Sequence, residues 1–265
     1  EGQSQEGVPK TMNISRFKPW LVLLFCCSAF AVSSAWAQTG EEVEEVAELT
    51  AVANSGDAQS QYLLGIRYGS GNGVPQSGPV AVTWFTKAAE QGHVEAQFRL
   101  GAIYNNGWNI LSNDRSKVVP MDDAVAAMWY ARAAEQGHAE AQYKMAIRYQ
   151  RGNSVPRDDA IAVTWLTKAA EQGHVDAQIG LAEAYIFGTG APENDATAVM
   201  WYTKAANQGD AHAQYALGHM YEKGQGVPED DVTAVMWYTK SAERENASAQ
   251  YNLGTVYRIG DGVPQ

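Results

Sequence analysis

Hydrophobic positions along this chain follow one helical pattern that is rewritten at a fixed interval. Trp84, Trp129, Trp165, Trp201 and Trp237 are separated by 45, 36, 36 and 36 residues. Gln61, Gln97, Gln142, Gln178, Gln214 and Gln250 run in step with them, again with a single step of 45 among steps of 36. Self-similarity at this period marks stacked repeats, in which each unit buries its apolar side against the next.

Each unit reads as two helices. In the first, an aromatic is followed by Leu and a small residue and then by Tyr, as in Tyr62/Leu64/Gly65/Tyr68 and Tyr215/Leu217/Gly218/Tyr221. Leu and Tyr four residues apart share a helical face, and the Gly or Ala between them lets a neighbouring helix approach closely. A turn such as Gly224-Gln225-Gly226-Val227-Pro228 then breaks the helix. Acidic pairs such as Asp158-Asp159 and Asp230-Asp231 open the second helix by satisfying free amides. That helix carries the Trp and an Ala-Ala pair, and a Gly ends it. Residues 38–56, with Val43, Val46, Ala47, Leu49 and Val52 at near-helical spacing, form an orphan capping helix ahead of the first unit.

The expected fold is therefore all-α: a solenoid of helix-turn-helix units at about 57–92, 93–137, 138–173, 174–209, 210–245 and an incomplete 246–265. Three departures stand out. The second unit has nine extra residues between Tyr104 and Met121, including Trp108. Glu245 replaces the Gly that ends the other second helices. The sequence stops at Pro264-Gln265 before a sixth second helix, which makes it a piece of a longer reading frame.

The N-terminal region changes the picture differently. Residues 1–11 are polar and give no reason to fold, and Met12 has the features of a true start. Arg16 and Lys18, the apolar run Trp20–Val32 and the small-residue end at Ala35-Trp36-Ala37 make 12–37 a secretory signal peptide, with cleavage expected after Ala37. The apolar run is shorter than the roughly 20 residues of a membrane span, so no stable insertion is expected after cleavage. An uncleaved anchor is the alternative. Export to a bacterial periplasm or beyond follows. Cys26 and Cys27, the only cysteines, lie inside this segment, leaving no disulfide or thiolate chemistry behind.

A net charge of −11 argues against nucleic acid and anionic membrane surfaces as partners. No metal site or cofactor is expected. His93, His138 and His174 are each followed two residues on by an acid, but Asp57, Asp210 and Asn246 hold the same slot, which fits a helix N-cap better than a zinc ligand. No catalytic residues are assigned, since phosphate loops, nucleophile elbows and dinucleotide fingerprints do not occur.

The repeated residues resemble the Sel1-like repeat family, relatives of the tetratricopeptide repeat, over about Gly56 to Gln265. The resemblance implies a right-handed α-solenoid whose first helices line a concave groove that holds other proteins. Some secreted members have been linked to β-lactam hydrolysis, but those carry paired cysteines in each unit. A hydrolase is thus the alternative to a non-enzymatic scaffold, and a spacer for a domain beyond Gln265 is a third reading. The candidate partner-binding residues are the ladder Tyr62, Phe98, Tyr143, Ile179, Tyr215 and Tyr251, with Ile147, Glu183 and His219 one turn further on. Such rings with variable neighbours suit a peptide groove, although rings at constant phase are also expected to pack against the preceding unit. The expected partner is a protein or peptide with Lys or Arg on its contact face, held by a monomer.

Overall fold

The computed structural model describes residues 40–108 and 118–259. The expectations for 1–11, for the signal peptide at 12–37 and its cleavage point, for insertion residues 109–117 and for 262–265 lie outside the described residues.

Among the described residues twelve helices follow one another. Helix α1 (Gly40–Asn54) precedes five pairs: α2 (Ala58–Ser70) with α3 (Gly78–Glu90), α4 (Val94–Asn106) with α5 (Asp123–Glu135), α6 (Ala139–Arg151) with α7 (Asp159–Glu171), α8 (Val175–Phe187) with α9 (Asp195–Asn207), and α10 (Ala211–Lys223) with α11 (Asp231–Ala242). Helix α12 (Ala247–Ile259) opens a sixth unit. Substantial packing joins helices consecutive in the chain, as an α-solenoid of helix-turn-helix repeats requires.

Local chemistry sets these boundaries. Asp57, His93, His138, His174 and Asp210 cap first helices, each accepting from the amide three residues on. Ser77, Asp122, Asp158, Asn194 and Asp230 do the same for second helices. Second helices end on a left-handed Gly, with φ of 89°, 92°, 90° and 93° at Gly92, Gly137, Gly173 and Gly209. Glu245 takes that role in the fifth unit at φ 62°, a conformation that is strained for a residue with a Cβ.

The core is distributed along the stack. Leu64, Leu100, Leu181 and Leu217 are fully buried, Met145 takes the third unit's place, and the Ala-Ala pairs of the second helices are sealed with them. Burying one such Leu contributes about 1.5–3 kcal/mol. The small residue after each Leu admits a ring from the second helix of the same unit. An added Cβ would lie 2.6 Å from Phe85 at Gly65, from Tyr130 at Gly101 and from Tyr238 at Gly218. In the third unit Ala146 occupies that position, and Leu166 stands where the other second helices place a ring.

The base of the insertion is tied down. Trp108 and Val119 exchange backbone hydrogen bonds of 2.8 and 2.9 Å. The Trp108 indole lies against Gly69 of α2, where a Cβ would come within 2.5 Å of it.

Candidate functional site

The ladder residues sit on the first helices, and several of them join one unit to the next. Tyr62 is buried, packed 4.5 Å from the His93 ring and 5.8 Å from Phe85. Phe98 stacks on His138 at 4.3 Å, and Tyr143 on His174 at 4.7 Å. Tyr215 instead meets Tyr238 of its own unit at 5.7 Å. Phe98, Tyr143, Ile179 and Tyr215 are half-buried, while Tyr251 on α12 is 76% exposed. Ile147 and Glu183 are half-exposed and His219 is open to solvent. Tyr62, Phe98 and Tyr143 thus lean on the following unit rather than the preceding one.

The N-cap histidines explain this arrangement. Nδ1 of His93, His138 and His174 accepts from the amides of Ala96, Ala141 and Ala177. Nε2 is therefore left to reach back to the previous unit: to Gln59 at 2.9 Å, Glu95 at 3.3 Å and Glu140 at 2.7 Å. An acceptor role at Nδ1 requires that nitrogen to be unprotonated. Each His caps its own helix, stacks on its neighbour's ring and bonds its neighbour's side chain.

A second seam was not foreseen. Gln61, Gln97, Gln142, Gln178 and Gln214 are buried and donate Nε2 to the carbonyls of Ala53, Ala89, Ala134, Ala170 and Ala206. Their Oε1 atoms accept from Gln91, Gln136, Gln172 and Gln208 at 2.6–2.8 Å in the first four units. In the fifth unit the donor position is Arg244, and Gln214 Oε1 is left buried without a partner. The recurring Gln before each terminating Gly was the available signal. The second helices also repeat a cation over their Trp, from Lys204 at 3.8 Å to Arg132 at 4.7 Å.

Four of the sequence-predicted residues converge. Tyr143 and Ile147 of α6 and Ile179 and Glu183 of α8 line one recess of about 170 Å³, with Leu166 at its base and Asp176 and Gly180 on its α8 wall. Burial pushes the Tyr143 phenol up, and the Asp176, Glu140 and Glu183 carboxylates push it further, with Arg151 opposing them. Phe98 lines a larger recess of about 470 Å³ between α2 and α4, walled by Trp108 and rimmed by Glu95 and Arg99. Tyr62, Tyr215, Tyr251 and His219 join neither recess.

Among the described residues, no three His, Cys, Asp or Glu side chains converge in a metal-ligating arrangement, and no helix is long and apolar enough to cross a membrane.

The sequence profile of the Sel1 repeat matches residues 58–93, 94–138, 139–174, 175–210, 211–246 and 247–265. Among solved structures, the chain is similar to a protective antigen present in uropathogenic Escherichia coli strains that displays an SLR fold. The two share 38% identity and a TM-score of 0.74, over 83% of this chain and 45% of that one. A Sel1 repeat protein from Oxalobacter formigenes is 35% identical with a TM-score of 0.66, over 84% of this chain and 62% of that one. The chain thus spans less than two thirds of either relative's length. Comparison with curated proteins returned no match. Six consecutive matches to the repeat profile, on helices that stack in the way of these relatives, make the chain a member of the Sel1 repeat family.

Proposed function

We propose that this protein is an exported, non-catalytic scaffold that holds a segment of another protein along its first helices. Stacks of this family commonly serve protein–protein interaction. The observation that carries the reading here is the pair of recesses between first helices, one between α2 and α4 and one between α6 and α8, where Phe98, Tyr143, Ile147 and Ile179 keep part of their apolar surface accessible beside ionisable rims. Successive units are joined by hydrogen bonds from His138 and His174 to Glu95 and Glu140 of the preceding unit, and from Gln97, Gln142, Gln178 and Gln214 to the preceding unit's Ala carbonyls. A surface ordered in advance loses little entropy when a partner binds. The negative charge of the chain favours a partner with Lys or Arg on its contact face, so high salt weakens association. Export relies on residues 12–37, with cleavage after Ala37, and the protein acts as a monomer.

The test is affinity capture from bacterial envelope extract, comparing the full chain with a Tyr143→Ala/Ile147→Ala/Ile179→Ala variant. Loss of a captured protein while the far-ultraviolet spectrum remains helical supports the reading. Equal capture by both, or capture of nothing by the intact chain, overturns it. Mass measurement of the envelope-associated protein tests cleavage.

A further inference from the structure

The first helices of the second and third units share an ionic arrangement that the fourth unit begins and does not finish. In α4, Glu95 meets Arg99 four residues on at 3.5 Å and His138 of the next unit at 3.3 Å. In α6, Glu140 meets Lys144 at 2.9 Å and His174 of the next unit at 2.7 Å. In α8 the acid is retained as Asp176, but Gly180 stands where Arg99 and Lys144 stand, and the next unit's cap is Asp210 rather than His. Asp176 accordingly makes no ion pair or side-chain hydrogen bond among the described residues, and it is exposed on the wall of the recess between α6 and α8.

We propose that this gap is a socket for one Lys or Arg side chain of a bound protein segment, whose cation takes the place of the missing intramolecular one. This deepens the scaffold reading and rests on it. The chain itself provides the template. Arg99 Nε donates to the Tyr62 hydroxyl at 2.9 Å, and its guanidinium lies 5.7 Å from the centre of that ring, which belongs to the preceding unit. In the socket, Tyr143 is the corresponding ring of the preceding unit, and it lines the recess. A guest cation therefore meets the Asp176 carboxylate beside the Tyr143 ring, over which Lys144 Nζ already lies at 5.5 Å, and Glu183, itself 3.6 Å from His212 of the next unit, carries a further carboxylate at the edge.

The lining fits a long cationic side chain along its whole length. Ile147 and Ile179 offer apolar contact to a methylene stem above the buried Leu166, and the acids hold the head where water still reaches it. Gly180 is what makes room: a Cβ there would lie 3.3 Å from Leu166 Cδ2, and any longer side chain would enter the recess. Arg151 reduces the negative field at Tyr143 without cancelling it, because Asp176, Glu140 and Glu183 all act in the other direction.

The experiment titrates the isotope-labelled full chain with the capped peptide acetyl-Gly-Ala-Lys-Ala-Gly-amide and follows backbone amide shifts by nuclear magnetic resonance. The same peptide with norleucine, the uncharged isostere of Lys, is the comparison. The expected result is saturable shifts centred on Ile179, Gly180 and Glu183, with binding weakened about two- to fivefold by norleucine or by Asp176→Asn. Gly180→Lys, which restores the arrangement of Lys144, should abolish the shifts. That variant should fold, because Lys is a better helix former than Gly and the nearest obstacle is the tip of Leu166.

Three results overturn the socket: no shifts at the peptide's solubility limit, equal binding of the norleucine peptide, or undiminished binding by Gly180→Lys. The envelope capture separates this idea from its parent. A protein retained by Gly180→Lys but lost by the Tyr143→Ala/Ile147→Ala/Ile179→Ala variant refutes the socket and leaves the scaffold standing. Failure of the intact chain to capture anything refutes the scaffold itself.

Discussion

Arg244 and Glu245 together make the fifth unit the weak seam of the stack, and replacing them should strengthen it measurably. Gln214 is 4% exposed, and its Oε1 is a buried acceptor without a donor because Arg244 stands where Gln91, Gln136, Gln172 and Gln208 stand in the earlier units. Leaving a buried acceptor unsatisfied costs about 1–3 kcal/mol, and a typical intramolecular hydrogen bond contributes about 0.5–1.5 kcal/mol net. Arg244→Gln should therefore stabilise the α11–α12 end by about 1 kcal/mol. Glu245→Gly should add about 0.5–1 kcal/mol by relieving the left-handed backbone at φ 62°. Repeat stacks open locally, so a single melting temperature is the wrong readout. Hydrogen exchange of amides in α11 and α12 is the right one, and 1 kcal/mol corresponds to about a fivefold slowing. The reciprocal variant Gln208→Arg removes the 2.8 Å bond to Gln178 and a 3.1 Å bond to the Gly173 carbonyl. It should speed exchange in α9 and α10 by the equivalent of about 1–3 kcal/mol. The reasoning fails if Arg244→Ala protects α11 as well as Arg244→Gln does, or if Gln208→Arg is neutral.

Two helical glycines should respond oppositely to Ala. At Gly218 the new Cβ would press into the Tyr238 ring at 2.6 Å, costing about 1–3 kcal/mol, whereas at Gly180 it meets only the tip of Leu166, and the gain in helix propensity of about 0.5–1 kcal/mol should prevail. Urea unfolding of both variants checks this, and the same sign for both would contradict the packing described. His138→Ala should cost about 1–2 kcal/mol through loss of the cap and of the stack on Phe98, while His138→Asn should recover the cap portion, as judged by urea midpoints. Burial acts to raise the Glu140 carboxyl, but hydrogen bonds from Lys144 and His174 outweigh it and hold it below its ordinary value. Its contribution is then present above the unfolded pKa and lost as pH falls through the folded one. Glu140→Gln should flatten the fall in urea midpoint between about pH 5 and about pH 3 relative to the intact chain, and identical slopes would remove Glu140 from the account.

Much of this architecture could be read without coordinates. The 36-residue step, the cap slots at Asp57, His93 and Asp210, the turn glycines and the anomaly at Glu245 are local in origin. Backbone amides, φ angles and helix periodicity act within a few residues, so each leaves its mark on a short stretch of chain. The direction of the ladder was not legible in the same way. That Tyr62, Phe98 and Tyr143 lean on the following unit's His depends on contacts between residues 31 to 40 positions apart. The Gln pairing likewise depends on the two helices of a unit meeting across 30 to 39 residues, and the Gln bonds to Ala carbonyls on one unit stacking on the next. The amino-acid pattern by itself determined that two-helix units would form and pile up, since each has an apolar side it cannot bury alone. Tertiary packing decided which recurring polar residues became internal fasteners and which, where a unit lacks its cation, were left facing solvent.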